Sequence, residues 1–170
     1  ADKLHIAYCG GAERVHSVQQ GLCALRQLGY QDEDWVLVHD AARALITPQL
    51  VQTLIDALQA DPVGGLLASP LADTLKQADA EQRSCATHPR QQRWLAQTPQ
   101  MFRLKLLEQA LAYAMQQDLP TDEASAIELL GLRPKLVAAD SPNFKITYPQ
   151  DLQLAEAIFY YQAHKNGYHT

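Results

Sequence analysis

The hydrophobic and polar positions of this chain switch repeatedly between helical spacing and the spacing of buried strands. Over residues 14–28, apolar side chains recur every three or four positions, which predicts an amphipathic helix that ends at Gly29. Thr47 and Pro48 form an N-cap and first-turn pair that predicts a second helix. The same patterns predict strands over 4–9, 36–39, 64–69, 136–139 and 144–147, and further helices over 104–115, 122–130 and 149–161.

Alternating strands and helices predict an α/β fold, with a mostly parallel sheet and helices on both of its faces. The pattern breaks over residues 70–97, where 73–77 and 93–97 alternate like the strands of a hairpin around a polar stretch. A hairpin with so little core of its own needs something to pack against, and a partner subunit would serve. We therefore predict one domain over 1–170, with a β-arm at about 70–97 inserted for dimerisation.

Composition narrows the class of protein. Hydrophobic residues make up 47% of the 170 residues, and the formal net charge of −5 argues against a nucleic-acid surface. No apolar run approaches the length of a membrane span. The three cysteines, Cys9, Cys23 and Cys85, show no metal-binding or paired spacing, which favours reduced thiols and a cytoplasmic location.

The strongest chemical signal is the segment Val-Leu-Val-His-Asp-Ala-Ala-Arg, where a buried strand runs directly into Asp40 and Arg43. Ligands of open α/β sheets bind at the carboxyl ends of strands. A carboxylate there suits a metal ion or a ribose hydroxyl, and an arginine can bind a phosphate through two parallel hydrogen bonds. The pair indicates phosphate chemistry, although a structural ion pair would explain it equally well.

Other polar positions could belong to the same site, and each also has a purely structural explanation. The turn at Gly10 and Gly11 exposes backbone N–H groups, with Ser17 in the next helical turn, but a plain tight turn has the same sequence. Lys145 alternates with two apolar neighbours and so points away from them. Thr74 and Arg90 lie on the predicted arm, and Thr121 reads first as a helix N-cap followed by acidic residues.

The order of six short motifs carries more information than any one of them. They are Gly-Gly-x-Glu-Arg-x-x-Ser-Val, Val-His-Asp-Ala-Ala-Arg, Pro-Leu-x-Asp-Thr-Leu-Lys, Gln-Thr-Pro-Gln-x-Phe, Thr-Asp-Glu-Ala-Ser and Lys-Ile-Thr-x-Pro-x-Asp-Leu. Together, over residues 9–156, they resemble the 2-C-methyl-D-erythritol 4-phosphate cytidylyltransferase (IspD) family of the non-mevalonate isoprenoid pathway.

The resemblance implies a Rossmann-like fold of the nucleotide-diphospho-sugar transferase type, built as a homodimer. It implies transfer of a cytidylyl group from CTP to 2-C-methyl-D-erythritol 4-phosphate, with release of pyrophosphate and Mg²⁺ as cofactor. Roles follow residue by residue from the matching motifs. The resemblance implies that Gly10, Gly11 and Ser17 bind the nucleotide. It implies that Asp40, Arg43 and Lys145 are catalytic and that Asp40 also binds the metal. The implied substrate-binding residues are Ala41, Thr121 and the arm residues Thr74 and Arg90, and the two arm residues would reach across to the partner's site.

The sequence also departs from the family pattern. Ala12 stands where the family often has an acidic residue, Ala44 stands where it usually has proline, and His88-Pro89-Arg90 replaces a common Val-Asp-Arg. The N-terminal segment with the Gly-rich loop that wraps the triphosphate of CTP has no counterpart here. We therefore expect little or no cytidylyltransferase activity from this chain alone.

Three alternatives remain open from the sequence. A ribitol-5-phosphate cytidylyltransferase has similar motifs, although Ala42 favours the methylerythritol enzyme because the ribitol enzymes tend to carry valine there. A non-catalytic fragment that dimerises and binds substrate weakly would fit the missing loop. A hydrolase that uses Cys9 or Cys85 with His39 is the third, and neither cysteine lies on a recognisable nucleophile turn.

Overall fold

A computed structural model describes residues 4–117, 121–139 and 142–165. Within these ranges the chain forms six strands and five helices. The strands are β1 (Trp35–Val38), β2 (Gly65–Pro70), β3 (Leu75–Ala78), β4 (Ser84–His88), β5 (Trp94–Arg103) and β6 (Lys135–Ala138). The helices are α1 (Arg14–Gln27), α2 (Pro48–Leu58), α3 (Leu104–Ala114), α4 (Glu123–Leu129) and α5 (Pro149–Lys165).

The main sheet has four strands in the order β1-β5-β2-β6. Strands β2 and β6 are parallel, whereas β5 runs antiparallel to both β1 and β2. Three strands therefore share one direction and the fourth, an inner strand, opposes them. The predicted α/β class is confirmed, and the sheet is mixed because β5 returns from the arm rather than from a crossover helix.

Helices cover both faces of the main sheet, as the sequence predicts. Leu66 and Phe102 point to one face and pack with buried residues of α1, α3 and α4. Their chain neighbours Leu67 and Met101 point to the other face and pack against α2. Successive strand residues alternate between the two faces, so this one pair of strands anchors both layers of the core.

The arm is built from different strands than the sequence predicts. Strands β3 and β4 pair antiparallel as a separate two-stranded sheet, so β4 lies inside the stretch that the pattern marks as polar loop. Residues 93–97, predicted as an arm strand, belong largely to β5, whose first three residues are exposed and whose next six are buried. Strands β2 and β5 together form the stem of the arm, where Pro70 pairs with Trp94.

Two predicted strands are wrong. Residues 4–9 form no strand, and the apolar side chains of Leu4, Ile6 and Tyr8 are exposed. Residues 144–147 also form no strand, and Ile146 makes a single backbone hydrogen bond to Ala42 O at 2.8 Å. In both places the apolar alternation is present, but no neighbouring strand among the described residues completes a ladder, and a strand is stable only when it is paired.

Candidate active site

A cavity lies beyond the carboxyl end of β1, where a bulge interrupts β5. The ladder pairs Leu66–Gln100 and Ala68–Ala96 leave residues 97–99 opposite a single residue of β2. Bulges of this kind redirect side chains and are common beside active sites. The cavity has a volume of about 260 Å³ and is lined by Arg14, Asp40, Arg43, Ala96, Gln97, Thr98, Gln100, Thr121, Asp122 and Lys145.

Thr98 in the bulge fixes the loop that carries Asp40. The Thr98 hydroxyl oxygen accepts the backbone N–H of Asp40 at 3.0 Å and lies 3.0 Å from His39 Nδ1. His39 Nε2 lies 3.2 Å from the carbonyl oxygen of Arg43, which can only accept. This arrangement suits the imidazole tautomer with its proton on Nε2, so that Thr98 donates to Nδ1. The loop is also closed by a hydrogen bond from Arg43 N to Asp40 O at 2.9 Å.

The carboxylate of Asp40 lies between two cations. Its Oδ1 is 3.0 Å from Arg14 Nε, and its Oδ2 is 3.3 Å from Lys145 Nζ. Partial burial raises the pKa of Asp40, but the hydrogen bonds and charges of Arg14 and Lys145 outweigh that effect and hold the pKa below its usual value. Asp40 is therefore ionised at neutral pH and presents a negative charge to the cavity.

Arg14 is held from behind by a buried carboxylate. Its two terminal nitrogens form a bidentate pair with Glu123, at 2.5 Å and 2.9 Å, and the Glu123 side chain is only 1% exposed. The hydrogen bond from Arg14 to Glu123 is the main reason that the pKa of Arg14 is raised. Arg14 is the first residue of α1 and Glu123 the first of α4, so this pair ties the starts of two helices together behind Asp40.

Arg43 is half-buried and also lines the cavity. Its Nη1 donates to the backbone oxygen of Asn143 at 2.8 Å, and its Nη2 donates to Ala96 O at 3.2 Å. Its Nε is buried without a hydrogen-bond partner among the described residues. Burial lowers the pKa of Arg43 from its usual value, but a guanidinium keeps its charge in proteins. The group is thus a fixed cation with unused hydrogen-bonding capacity.

Lys145 reaches the cavity for a different reason from the one the sequence suggests. The expected strand alternation does not exist, because the segment is irregular. The segment is held instead by Asn143, which is buried and whose Nδ2 donates to Gln97 Oε1 at 3.0 Å and to Thr98 O at 2.8 Å. These bonds attach the segment to the bulge, and Lys145 follows two residues later beside Asp40.

The remaining substrate residues predicted on this chain divide into two groups. Thr121 lines the cavity, but it is not the N-cap of α4, because Asp122 takes that position and its side chain accepts the N–H of Ser125 at 2.9 Å. The helix begins one residue later than predicted because Asp122 and Ser125 form a reciprocal capping box. Ala41 is exposed in the turn after Asp40 and does not line the cavity.

The predicted nucleotide and arm residues lie outside this cavity. Gly11 N donates to Ser17 Oγ at 2.9 Å, which closes the turn before α1, and Gly10 is exposed. Thr74 and Arg90 are exposed at the arm, where Arg90 donates to the backbone oxygen of Ala72. The structure of one chain therefore brings together Asp40, Arg43, Thr121 and Lys145, and leaves the other predicted residues apart from them.

Comparison with known proteins decides the family. The family model described as 2-C-methyl-D-erythritol 4-phosphate cytidylyltransferase matches residues 3–161. The chain belongs to this cytidylyltransferase family. A protein of that name from Nitrosomonas eutropha is 58% identical over 159 residues, and one from Ralstonia nicotianae is 58% identical over 154 residues. The matches include 93% and 88% of this chain, but only 67% and 61% of the two relatives.

Solved structures of cytidylyltransferase family members have the same fold. The 2-C-methyl-D-erythritol 4-phosphate cytidylyltransferase of Francisella tularensis superposes with a TM-score of 0.80 at 36% identity, covering 87% of this chain and 69% of that one. The protein of the same name from Thermus thermophilus gives a TM-score of 0.76 at 37% identity, covering 88% and 70%. The agreement in fold supports the predicted nucleotidyltransferase architecture directly.

A divalent cation fits the residues present, although the described residues contain no group of three or more His, Cys, Asp or Glu side chains that could enclose a metal. Mg²⁺ in phosphoryl-transfer sites is commonly held by one or two carboxylates, with substrate phosphates and water completing its shell. The ionised carboxylate of Asp40 faces the cavity and supplies a hard oxygen ligand of that kind. Among the described helices of this cytidylyltransferase family member, none has the length and apolarity needed to cross a membrane.

Sequence reasoning missed several residues that build the site. Arg14 and Glu123 are 109 positions apart, so nothing local indicates that they form a buried pair. Thr98 looks like part of an ordinary polar turn, and Asn143 belongs to no motif. Arg14, Thr98 and Glu123 lie inside the quoted motifs, but motif membership does not indicate which side chains contact Asp40. For Asn143 the available signal is polarity near apolar neighbours, since buried polar side chains are rare unless they are hydrogen-bonded.

Proposed function

We propose that this protein takes part in transfer of the cytidylyl group of CTP to 2-C-methyl-D-erythritol 4-phosphate, which forms 4-diphosphocytidyl-2-C-methyl-D-erythritol and pyrophosphate. The observation that carries the proposal is the cavity in which ionised Asp40 lies between Arg14 and Lys145, and which the Arg43 cation also lines. Family membership supplies the reaction. The cavity supplies the charges that a phosphate substrate needs.

In the proposed reaction, an oxygen of the substrate phosphate attacks the α-phosphorus of CTP, and the bond from that phosphorus to the bridging oxygen breaks to release pyrophosphate. Catalysis of such a transfer consists mainly of positioning and charge neutralisation. Arg43 is a fixed cation that positions the substrate phosphate, and Lys145 is a flexible, half-exposed cation that neutralises developing charge. Mg²⁺ bound at Asp40 would neutralise further phosphate charge.

The proposed enzyme is a cytoplasmic homodimer joined through the arm. Strands β3 and β4 are almost entirely exposed and contain Leu75, an exposed apolar residue, so they lack a core of their own. A two-stranded hairpin of this kind is marginal in water unless it packs against something. Thr74 and Arg90 at its ends would complete the substrate site of the partner.

Gly10, Gly11 and Ser17 are proposed to contact the nucleotide, in a turn that ends directly at the start of α1. The chain spans 67% and 61% of two relatives that carry the family name, so part of what those proteins contain is not in this sequence. We expect the purified chain to bind the polyol phosphate but to release little pyrophosphate from CTP. Robust turnover by this chain would contradict the second expectation only.

Isothermal titration calorimetry with 2-C-methyl-D-erythritol 4-phosphate tests the proposal directly. We expect saturable binding, and at least about tenfold weaker binding for Arg43→Ala, because a charge-assisted hydrogen bond contributes about 1.5–3 kcal/mol. Arg133→Ala, at an arginine outside the cavity, is the matched control and should bind like the wild type. Tighter binding of ribitol 5-phosphate would assign the chain to the alternative substrate, and no binding of either would refute the proposal.

A further inference from the structure

The two oxygens of Asp40 have unequal partners. Oδ1 accepts a hydrogen bond from Arg14 Nε at 3.0 Å, whereas Oδ2 lies 3.3 Å from the ammonium nitrogen of Lys145. The side chain of Lys145 is 48% exposed. The contact with Arg14 is supported by the buried carboxylate of Glu123, whereas the contact with Lys145 is open to solvent. The Lys145 contact is therefore the easier of the two to exchange for another ligand.

Arg14 is not free to leave. All three nitrogens of its guanidinium are engaged, two by Glu123 and one by Asp40. Because the guanidinium is planar, the bidentate pair with Glu123 also sets the direction of its Nε. Glu123 is 1% exposed, so moving Arg14 away would leave a buried carboxylate without its counter-charge. The Glu123 and Arg14 pair therefore fixes the rotation of the Asp40 carboxylate.

Lys145, by contrast, can move at little cost. Its Nζ makes no polar contact to the described residues other than the one with Asp40. Its side chain is flexible, its half-exposed ammonium is hydrated, and Asp40 keeps Arg14 as a counter-charge when Lys145 leaves. The Lys145 ammonium can therefore leave Oδ2 while the carboxylate stays in place.

We propose that the two oxygens of Asp40 have separate roles. Oδ1 stays bound to Arg14, which Glu123 holds in place. Lys145 leaves Oδ2 when a divalent cation binds there, and its ammonium is then free to bind a phosphate group. Arg14 and Glu123 are then positioning residues that act through Asp40. The inference rests on the proposed function only for the presence of a divalent cation. The exchange explains why Lys145, which is proposed to neutralise phosphate charge, contacts the carboxylate of Asp40 when no ligand is bound.

The test follows Lys145 itself, without CTP or turnover. Reductive methylation with ¹³C-formaldehyde labels the six lysines and keeps their charge, and Lys145→Arg identifies the Lys145 signal in an NMR spectrum. Titration with Mg²⁺ should move that signal towards the position of a solvated lysine. The matched control is Lys105, which pairs with Asp32 at 2.8 Å on the surface, and whose signal reports only screening by salt.

Three variants separate position from charge. Asp40→Asn should abolish the response of Lys145 to Mg²⁺. Arg14→Lys keeps the positive charge but lacks the planar guanidinium, and Glu123→Gln removes the carboxylate that holds Arg14. Each variant should weaken Mg²⁺ binding at least roughly tenfold, because a similar loss follows when the hydrogen-bond partner of a metal ligand is removed in other proteins. Circular dichroism checks folding, and if Glu123→Gln fails to fold, Arg14→Lys decides.

An unmoved Lys145 signal at saturating Mg²⁺ would overturn the exchange. Wild-type Mg²⁺ affinity in a folded Arg14→Lys variant would overturn the positioning role. Neither result depends on binding of the polyol phosphate, so failure here is distinguishable from failure of the proposed function.

Discussion

Replacing Asn143 with alanine should destabilise the protein more than the same replacement of a surface asparagine or glutamine. Asn143 is buried, and its Nδ2 is the donor to both Gln97 Oε1 and Thr98 O. Asn143→Ala leaves two acceptors in the interior without that donor, and each unpaired group costs about 1–3 kcal/mol. Asn143 Oδ1 is itself buried without a partner among the described residues, so its removal offsets part of this cost. A water molecule that enters the vacated space restores a further part, and we expect a loss of about 1–3 kcal/mol in the free energy of unfolding.

Urea denaturation followed by circular dichroism measures that loss. The midpoint should fall while the slope m stays constant, because the surface exposed on unfolding hardly changes. Gln20→Ala, at an exposed amide on α1, is the matched control and should stay within about 0.5 kcal/mol of the wild type. A loss below about 0.5 kcal/mol for Asn143→Ala would refute the view that this side chain fastens the Lys145 segment to the sheet.

Three further outcomes are expected. In a form of the enzyme that turns over CTP, Lys145→Ala should lower kcat more than substrate affinity, and equal losses in both would count against a transition-state role. Arg90→Ala should be rescued in mixed dimers with a subunit whose own cavity is disabled, and an inactive mixture would exclude a cross-subunit arm. The carboxylate of Asp151 accepts hydrogen bonds from the N–H groups of Tyr148 and Thr147, and these bonds lower the pKa of Asp151. The stabilisation of α5 by Asp151 is therefore present above the unfolded pKa of about 3.9 and is lost as pH falls through the lower folded pKa. The protection of the Tyr148 amide, measured as its exchange rate relative to that of an unstructured amide at the same pH, should fall across that acid range in the wild type. An equal pH dependence in Asp151→Asn would show that another group is responsible.

Elements with local signals could be predicted from the sequence. Thr47 caps α2 as expected, since its side chain accepts the N–H of Leu50, and Gly29 follows α1 with a positive φ of 94°. Both are decided within a few residues. The strand predicted at 4–9 has equally good local alternation and yet does not form, because strand formation depends on a partner that periodicity cannot supply.

The site divides in the same way. Asp40 could be predicted because a carboxylate at the end of a buried strand has a mechanistic reason to be there. The residues that orient it come from two distant helix starts, and the bulge of β5 exists only once β2 is paired with it. Which charges stand behind a carboxylate is a property of tertiary contacts, so Arg14 and Glu123 could be seen only in the folded chain.

Strand β5 begins at Trp94 in the stem of the arm and continues through Gln97, Thr98 and Gln100 along the cavity into the centre of the main sheet. One continuous strand thus joins the proposed subunit-binding surface to the proposed ligand-binding surface. If the arm joins two copies, dimerisation and substrate binding are thermodynamically linked, and the linkage must be reciprocal. Whatever factor dimerisation adds to substrate affinity, bound substrate must add to the affinity of the two subunits for each other.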